Sequence, residues 1–366
     1  MKVVIKVRVI ISAGGTGGHI YPALAIIEKI KKLEPNSEFL YIGTHNRMEK
    51  DIVPNKGINF KSIEIYGFNR KNLLSNFKTL KCLFTSYIDA KKMIKDFRPD
   101  VVLGVGGYVT VPVIKAAKKL GIKTFIHEQN SVSGASNKYL IKYTDLIGVS
   151  FKSSMKDFPN EKVVYTGNPV SENAINAKPA NKEKYGLKKD KKLVLFVMGS
   201  LGSSSMNEFL VKTMSKFDKK DYEILFVTGK NDYEEIIKNK FPKNVIVVPY
   251  LDEMAGIMKQ TDLIVSRAGA STLAEIISLN IPSILVPSPN VTNNHQYKNA
   301  LDLKNINATS LIEEKNLTED YLISEIDNIL NDKKAIEKIK KNLKKISVDD
   351  SATLIYTNLK KLIDRK

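Results

Sequence analysis

The sequence is poor in cysteine and lacks tryptophan altogether. Its single cysteine, Cys82, cannot form a disulfide within the chain, which fits a reducing cytoplasm. The uncharged, apolar-looking stretch 101–114 contains three glycines and a proline and is shorter than the roughly 20 residues of a membrane span. Lys6 and Arg8 interrupt the apolar residues near the N-terminus, so we expect no signal peptide. Any membrane association is therefore expected to be peripheral.

Acidic residues are few compared with basic ones. The chain has 39 Asp and Glu residues against 58 Lys and Arg residues, which gives a net charge of +19. Such a surface attracts nucleic acid, acidic lipid or phosphorylated ligands. The lysines are spread along the whole chain, however, and no recognised nucleic-acid-binding motif accompanies them. A basic nucleic-acid-binding protein therefore remains an alternative that rests on charge alone, and we expect no nucleic-acid partner.

Common nucleotide-binding signatures are also missing. The dinucleotide fingerprint fails because Ile20 and Val109 occupy the positions of its third small residue. A P-loop is excluded because Asn231 follows Gly229-Lys230, where a Ser or Thr should hold magnesium. There is no Asp-x-Asp triplet, which weakens a metal-held nucleotide-sugar site. We therefore expect neither a metal nor a cofactor.

The chain does have a regular alternation of short β-branched runs and amphipathic helical segments, which is typical of parallel sheets covered by helices. Its 366 residues, 43% of them hydrophobic, suffice for two cores. The predicted strands are 7–12, 38–42, 61–65, 101–104, 123–127, 146–149 and 162–165, then 193–198, 223–227, 245–248, 262–266 and 283–287.

The pattern is interrupted after the Gly-Asn-Pro segment and restarts near Leu193. We therefore predict an α/β protein with domains over 1–166 and 167–349, and a final helix over about 350–366 that packs back on the first domain. Two openings of strand, glycine loop and helix predict two Rossmann-like domains with parallel sheets that face each other across a cleft. Ligands of such folds bind at the carboxyl ends of the strands.

Glycine loops at several strand ends suit diphosphate binding by backbone N–H groups and helix N-termini without a metal. The segment 266–275 is the sharpest case. A strand ends at its start, Ser271 or Thr272 can cap the next helix, and Glu275 lies on the same helical face. A carboxylate there could accept hydrogen bonds from ribose hydroxyls, although Ser271 and Glu275 could also form only a capping pair. The polar segment 293–299 suits sugar hydroxyls.

Taken in order, these motifs resemble the MurG family, the cell-wall N-acetylglucosaminyltransferases of the GT-B fold that convert lipid I to lipid II. The resemblance covers about residues 7–300. Its carriers are GGTGGH at 14–19, GVGGYVT at 104–110, HEQN at 127–130, TGNPV at 166–170, GSLG at 199–202, RAGASTLAE at 267–275 and HQYKNA at 295–300. It implies an inverting transfer of GlcNAc from UDP-GlcNAc to the 4-hydroxyl of the undecaprenyl-diphosphate-linked muramoyl-peptide.

The resemblance also implies which residues bind the substrates. In the C-terminal domain the donor would contact Ser200 (phosphate), Leu251 (uracil), Ala270, Ser271, Thr272, Leu273 and Ala274 (diphosphate), Glu275 (ribose), and Gln296 and Asn299 (GlcNAc). From the other domain Thr16, Gly17, Gly18 and Asn130 would close on the donor, and Gly14, Gly15, Gly106, Gly107 and Tyr108 would serve the acceptor. Family members often carry Arg where this chain has Ser171, so recognition of uracil must depend more on the backbone and on the segment around Leu251.

Four histidines are available for the general base that an inverting transfer requires. His19 ends the first glycine loop and opens a helix, so it is the candidate base, although it could instead only cap the helix or bind diphosphate. His127 and Glu128 together form the alternative base, or they position the acceptor. His45 lies in a polar loop and is expected to be solvated.

The lipid-linked acceptor implies a peripheral enzyme on the anionic cytoplasmic face of the cell membrane. The segment 70–95 is the candidate docking surface, because apolar and basic residues alternate there at helical spacing. These residues are Leu73, Leu74, Phe77, Leu80, Leu83 and Phe84, with Lys71, Lys78 and Lys81 between them. An ordinary core helix is the alternative interpretation. A UDP-GlcNAc 2-epimerase-like enzyme of the same fold remains the alternative function.

Overall fold

A computed structural model describes residues 7–66, 76–199 and 202–364. The chain divides into two compact units, one formed by Met1–Val170 with Asp350–Lys366 and the other by Ser171–Asp349. Both units are built from parallel strands that alternate with helices.

The first unit contains a seven-stranded parallel sheet in the order β3-β2-β1-β4-β5-β6-β7. Its strands are β1 Arg8–Ser12, β2 Glu38–Thr44, β3 Asn59–Ile63, β4 Val101–Gly104, β5 Lys123–Glu128, β6 Leu146–Val149 and β7 Val163–Tyr165. Its helices are α1 Gly17–Leu33, α2 Glu49–Asn55, α3 Asn76–Phe97, α4 Thr110–Lys119 and α5 Ala135–Leu140. The central strands read as continuous apolar runs because helices cover both faces of the sheet.

The second unit contains a six-stranded parallel sheet in the order β10-β9-β8-β11-β12-β13. Its strands are β8 Leu193–Val197, β9 Glu223–Val227, β10 Val245–Val248, β11 Leu263–Ser266, β12 Ser283–Leu285 and β13 Ser310–Leu311. The helices are α6 Val170–Asn176, α7 Ser204–Met214, α8 Tyr233–Ile236, α9 Met254–Met258, α10 Ala270–Leu279, α11 His295–Asn305, α12 Glu319–Asn331 and α13 Lys333–Ile346.

The last helix, α14 Ser351–Asp364, belongs to the first unit. Its buried side chains Ile355, Leu359 and Leu362 join the core cluster that contains the apolar face of α1. The Tyr356 hydroxyl also donates to Glu34 Oε1, at 2.7 Å. The amphipathic tail of the sequence therefore completes the core of the N-terminal half.

Several strand ends differ from the prediction by one or two residues, and two larger differences stand out. Strand β3 covers Asn59–Ile63 and not 61–65, because this edge strand is mostly exposed and its side chains hardly alternate between core and solvent. Strand β13, Ser310–Leu311, was not predicted, because two residues are too few to show any period.

In each sheet, the order in which the chain adds strands reverses at one point, called the switch point. In the first sheet β2 and β4 flank β1, so the chain reverses its progress between β1 and β4; in the second it does so between β8 and β11. Open α/β sheets bind ligands beyond the carboxyl ends of the strands at such a point. The loops after these four strands are the glycine loops and the 267–269 segment that the sequence singles out.

Candidate functional site

The first glycine loop connects β1 to α1 and is held by hydrogen bonds within the protein. The N–H of Gly14 donates to Gly106 O at 3.2 Å, and that of Gly15 donates to Glu49 Oε2 at 3.2 Å. These two N–H groups therefore have protein partners. The expected contact of Gly14 and Gly15 with the acceptor diphosphate cannot use these two N–H groups while they donate to Gly106 and Glu49. Anion-binding capacity remains at the start of α1, where Gly17 and Gly18 have N–H groups without an intrahelical acceptor.

The second glycine loop, after β4, packs directly on the first. Gly106 and Gly107 have φ values of +113° and +88°, which favour glycine. A Cβ at Gly106 would lie 2.8 Å from His19 Nε2, so even alanine would collide with the ring. The next side chain, Tyr108, is 51% exposed and is available to a ligand.

His19 lies in the first turn of α1 and is half-buried. Its Nδ1 is 3.0 Å from Gly14 O. A carbonyl oxygen only accepts hydrogen bonds, so Nδ1 carries the proton of the neutral ring and Nε2 carries the lone pair. This tautomer is the one that a general base needs.

His127 is fully buried. Its Nε2 lies 3.0 Å from Gly167 O and 3.2 Å from Thr166 Oγ1, and its Nδ1 lies 3.0 Å from Gln129 Nε2. Burial lowers the pKa of the imidazole to about 4, with the Gly167 hydrogen bond opposing the shift. Because both nitrogens have partners and the ring has no exposed surface, this geometry favours positioning over the alternative base role.

Glu128, which is 2% exposed, organises the loop that follows β5. Its Oε1 accepts from the N–H of Asn130 at 3.0 Å, and its Oε2 accepts from Gly134 N and Asn137 Nδ2, both at 2.8 Å. The residues of this motif are therefore partners of one another. The carboxylate is fully engaged in holding the loop, which again supports positioning and not proton transfer.

In the second unit the start of α10 lies at the switch point, directly after β11. Gly269 precedes the helix in an extended conformation, and the N–H groups of Ala270, Ser271 and Thr272 begin the first turn without helical acceptors. The Ser271 hydroxyl is buried and has no hydrogen-bond partner among the residues described. One turn further on, burial raises the pKa of the half-buried Glu275 to about 7.

Arg267 connects the loops around this helix. The side chain is 7% exposed, and its guanidinium donates to Glu314 Oε2 at 2.6 Å, Val286 O at 3.1 Å and Ser203 Oγ at 3.1 Å. The planar guanidinium group holds its N–H donors in fixed directions, so it can bond several fixed acceptors at once. Arg267 thereby joins the ends of β11 and β12 to the start of α7, a role that its position in the motif did not reveal.

Several predicted donor contacts are buried. Leu251 and Leu273 are 1% and 0% exposed, so hardly any surface of either residue is open to a ligand. Ser171 is 5% exposed and its Oγ donates to Val348 O at 3.3 Å. Asn299 is 0% exposed and donates to Ala268 O at 3.2 Å, which supports the loop before α10 and leaves no surface for a sugar.

Other predicted residues remain at or near the surface. Thr16 is exposed and Asn130 is half-buried, whereas Ala274 on α10 is buried, with 8% of its surface exposed. Gln296 is half-buried and its Oε1 accepts from Ser288 N at 2.9 Å, which leaves its amide nitrogen for another acceptor. Ser200 lies outside the described residues. In the described ranges no three His, Cys, Asp or Glu side chains form a metal-ligand group.

Sequence reasoning missed Glu49. It is 0% exposed, yet its carboxylate accepts from Gly15 N and also from Thr44 N and Thr44 Oγ1, at 3.0 and 2.6 Å. A glutamate in the first turn of a short helix is ordinary in sequence, because it complements the helix dipole. Nothing along the chain indicates that this one points inward, beneath the first glycine loop.

Two Rossmann-like units, each with a glycine loop and a helix N-terminus at its switch point, are typical of glycosyltransferases that use nucleotide sugars. Family comparison agrees in both halves. Residues 9–149 match the glycosyltransferase family 28 N-terminal domain, and residues 193–355 match the glycosyltransferase family 28 C-terminal domain. The chain is therefore a glycosyltransferase.

Curated relatives define the family more narrowly. The chain is 46% identical, over 98% of its length and 100% of the relative, to a UDP-N-acetylglucosamine–N-acetylmuramyl-(pentapeptide) pyrophosphoryl-undecaprenol N-acetylglucosamine transferase of Bacillus cereus. It is 44% identical to the Pediococcus pentosaceus transferase of that name, over 96% of this chain and 99% of the relative. The crystal structure of Acinetobacter baumannii MurG aligns with a TM-score of 0.78 and 25% identity over 97% of this chain and 99% of that one. The chain belongs to the MurG family.

A UDP-GlcNAc 2-epimerase from Neisseria meningitidis also aligns, with a TM-score of 0.69 over 97% of this chain and 100% of that one. Its identity is 14%, so the likeness concerns the fold alone. The epimerase alternative thus shares the architecture but lacks the sequence relationship that the transferases have.

Proposed function

We propose how the residues of the two units divide the reaction of the MurG family, in which GlcNAc passes from UDP-GlcNAc to the lipid-linked muramoyl-peptide and lipid II forms. The second unit holds the donor, and the first unit binds the acceptor and supplies the base. The observation that carries this division is the start of α10, at the switch point. There, the Ser271 hydroxyl has no partner among the described residues, the first N–H groups have no helical acceptors, and a carboxyl group lies one turn away.

Each of these groups matches one part of UDP-GlcNAc. The N–H groups of Ala270, Ser271 and Thr272 and the positive end of the helix dipole suit the diphosphate. The Ser271 hydroxyl, which is buried without a partner among the described residues, gains an acceptor when a phosphate oxygen arrives. Glu275 accepts hydrogen bonds from the ribose hydroxyls, and the amide of Gln296 serves the sugar. Leaving-group charge is then stabilised without a metal.

His19 takes the proton from the attacking 4-hydroxyl through Nε2. The hydroxyl oxygen attacks the anomeric carbon on the face opposite UDP, the bond to the diphosphate breaks, and the configuration inverts. Tyr108, on the loop that packs against the His19 ring, is exposed and suits the acceptor. Such a base contributes about 10²–10⁴-fold to the rate.

Measurement of UDP release from UDP-GlcNAc, with and without a muramoyl-diphosphate-lipid acceptor, tests the reaction. We expect release that requires the acceptor, together with a disaccharide product. Acceptor-independent conversion of UDP-GlcNAc to its 2-epimer would favour the epimerase and contradict the proposal.

The first unit also docks on the anionic cytoplasmic face of the membrane, through α3. No helix in the described part of the chain is long and apolar enough to cross a bilayer. On α3 the stripe of Cys82, Ser86, Ala90 and Ile94 is buried, as in an ordinary core helix. The opposite face exposes Phe84 (66%) and Ile88 (49%) one turn apart, and both are unusual side chains to leave in water.

Lysines flank these two apolar residues. Lys81 and Lys92 are exposed one turn to either side, which gives the mixture of apolar and basic groups that an interfacial helix presents to anionic lipid. Of the predicted docking residues, Lys71, Leu73 and Leu74 and the side chains of Phe77, Lys78 and Leu80 lie outside the described part of the structure. Leu83 is partly buried against the core.

Flotation with phosphatidylglycerol vesicles tests this docking. The double variant Phe84→Ser/Ile88→Ser is expected to lose binding while turnover on a water-soluble short-chain acceptor is retained. Ile237→Ser is the matched control, because it removes an exposed isoleucine from the second unit. Equal vesicle binding by both variants would show that the docking surface lies elsewhere.

A further inference from the structure

The first unit contains a chain of hydrogen bonds that joins a buried carboxylate to His19 through one peptide group. The Gly14 carbonyl and the Gly15 N–H belong to the same peptide bond. The carbonyl accepts from His19 Nδ1 at 3.0 Å, and the N–H donates to Glu49 Oε2 at 3.2 Å. The order is therefore carboxylate, peptide group, imidazole.

We propose that Glu49 is a positioning residue for the transfer reaction, which acts through the Gly14–Gly15 peptide group to fix the orientation and tautomer of His19 and to stabilise its protonated form. This inference rests on the proposed role of His19 as general base. It assigns to Glu49 the task that the aspartate of a Ser-His-Asp triad performs by direct contact. Here a peptide group lies between the two side chains.

The geometry of Glu49 supports this role. The residue is 0% exposed, and its other oxygen accepts from the N–H and the hydroxyl of Thr44, so the carboxylate is fixed on both sides. A carboxylate that accepts from a peptide N–H polarises the peptide and makes its carbonyl a better acceptor, because successive hydrogen bonds strengthen one another. As His19 takes up a proton, its positive charge then meets a carbonyl that faces it and a negative charge behind the peptide.

The negative charge of Glu49 also affects Tyr41, a buried side chain nearby. Tyr41 lies in the same core, and its hydroxyl is buried. The pKa of Tyr41 is raised above 10, chiefly by burial and secondly by the negative charge of Glu49. The field of Glu49 therefore acts on its surroundings at short range, where solvent screens it little.

The ionisable side chains that neighbour these loops in the sequence differ from Glu49 in being exposed. They are Tyr21 on α1, Tyr108 on the second glycine loop, and His45, Arg47, Lys50 and Asp51 around the start of α2. All of these side chains are exposed. Solvent and salt screen exposed charges more than buried ones, so Glu49 is expected to dominate the electrostatic environment of His19.

Histidine NMR titration tests the coupling independently of activity. Glu49→Gln removes the charge but keeps the size and one acceptor oxygen, and we expect the pKa of His19 to fall by about 0.5–1 relative to the wild-type protein. The acidic limb of the pH profile of kcat should move to lower pH by the same amount, and kcat at its optimum should fall about tenfold, with the donor KM unchanged.

Glu34→Gln is the matched control. It removes the same charge from the same unit, but it lies at the C-terminal end of α1, roughly 20 Å from His19 by helix rise. It should leave the pKa of His19 and the pH profile unaltered. Glu49→Asp keeps the charge and should restore part of the loss. His295, which lies in the second unit, serves as the internal reference in each spectrum.

The wild-type protein provides a second test that does not require any variant to fold. If the peptide couples the two side chains, the amide proton resonance of Gly15 should move with pH at the pKa of His19. An unmoved Gly15 resonance, or a His19 pKa that is the same in Glu49→Gln and wild type, would overturn the proposal. Failure of the base role would appear differently, as undiminished kcat in His19→Ala with the NMR coupling intact.

Discussion

The first glycine loop, after β1, and the start of α10, after β11, both lie at the switch points of two similar sheets. They differ in how many of their polar groups have partners within the protein. In the first unit the N–H groups of Gly14 and Gly15 have protein acceptors, and a buried carboxylate holds the loop. At α10 the Ser271 hydroxyl is buried without a partner in the described residues, and burial raises the pKa of Glu275 to about 7.

This difference indicates different tasks. A loop whose hydrogen bonds are complete can hold a catalytic side chain still in the absence of substrate. A helix start whose N–H groups lack helical acceptors can bind a ligand that brings acceptor oxygens. A carboxyl group whose pKa is raised by burial can accept hydrogen bonds from the hydroxyls of that ligand. The contrast supports the proposal that the first unit positions the base and the second unit binds the donor.

The largest effect is expected from the first unit. His19→Ala should lower kcat by about 10²–10⁴-fold, since it removes the proton acceptor, while the donor KM changes little. Steady-state kinetics with the donor and the acceptor varied in turn measure both constants. A change confined to KM would assign His19 to diphosphate binding instead.

The next largest effect is expected at α10. Glu275→Ala should raise the donor KM about 10–100-fold, because hydrogen bonds to a charged group contribute about 1.5–3 kcal/mol, and leave the acceptor KM nearly unchanged. If a correctly folded variant has unaltered donor kinetics, Glu275 does not bind the donor and only helps to cap the start of α10.

If Glu275 binds the donor as proposed, its raised pKa should make donor binding pH-dependent. Ribose hydroxyls donate to the ionised carboxylate, so binding favours the charged form, and the donor KM of the wild-type enzyme should fall as pH rises through about 7. Glu275→Gln should remove this dependence. If the variant keeps the wild-type slope, another group titrates.

A smaller effect concerns stability. Folding raises the pKa of Glu275 from 4.5 to about 7, so stability is highest while the group stays protonated and falls as pH rises from about 4.5 through 7. Glu275→Gln should therefore stabilise the protein at pH 8, by about 1 kcal/mol, and much less at pH 5. Denaturant unfolding at the two pH values measures the difference, and an equal effect at both would contradict the assignment.

No effect is expected from chelation. The diphosphate is held by helix N-termini in this account, so EDTA should leave turnover unchanged. Loss of activity in EDTA that magnesium restores would show that a metal shares the task with α10.

Much of the fold follows from the sequence, because buried strands such as Val101–Gly104 and Glu223–Val227 are uniform apolar runs bounded by turns. The glycine loops were also predictable, since strand, glycine and helix follow one another along the chain. Partners distant in sequence were not: Glu49 reaches Gly15 only because β2 lies beside β1. Likewise, the burial of Leu251 and Asn299 depends on packing that no local pattern reveals.

Direct binding of UDP-GlcNAc to the wild-type protein, Glu275→Ala and His19→Ala tests the division between the two units most directly. Isothermal titration calorimetry without acceptor removes chemistry from the comparison. We predict that Glu275→Ala weakens the donor Kd about tenfold or more, whereas His19→Ala stays within about threefold of the wild-type value. Equal weakening in both variants, or weakening in His19→Ala alone, would contradict the assignment of the donor to the second unit.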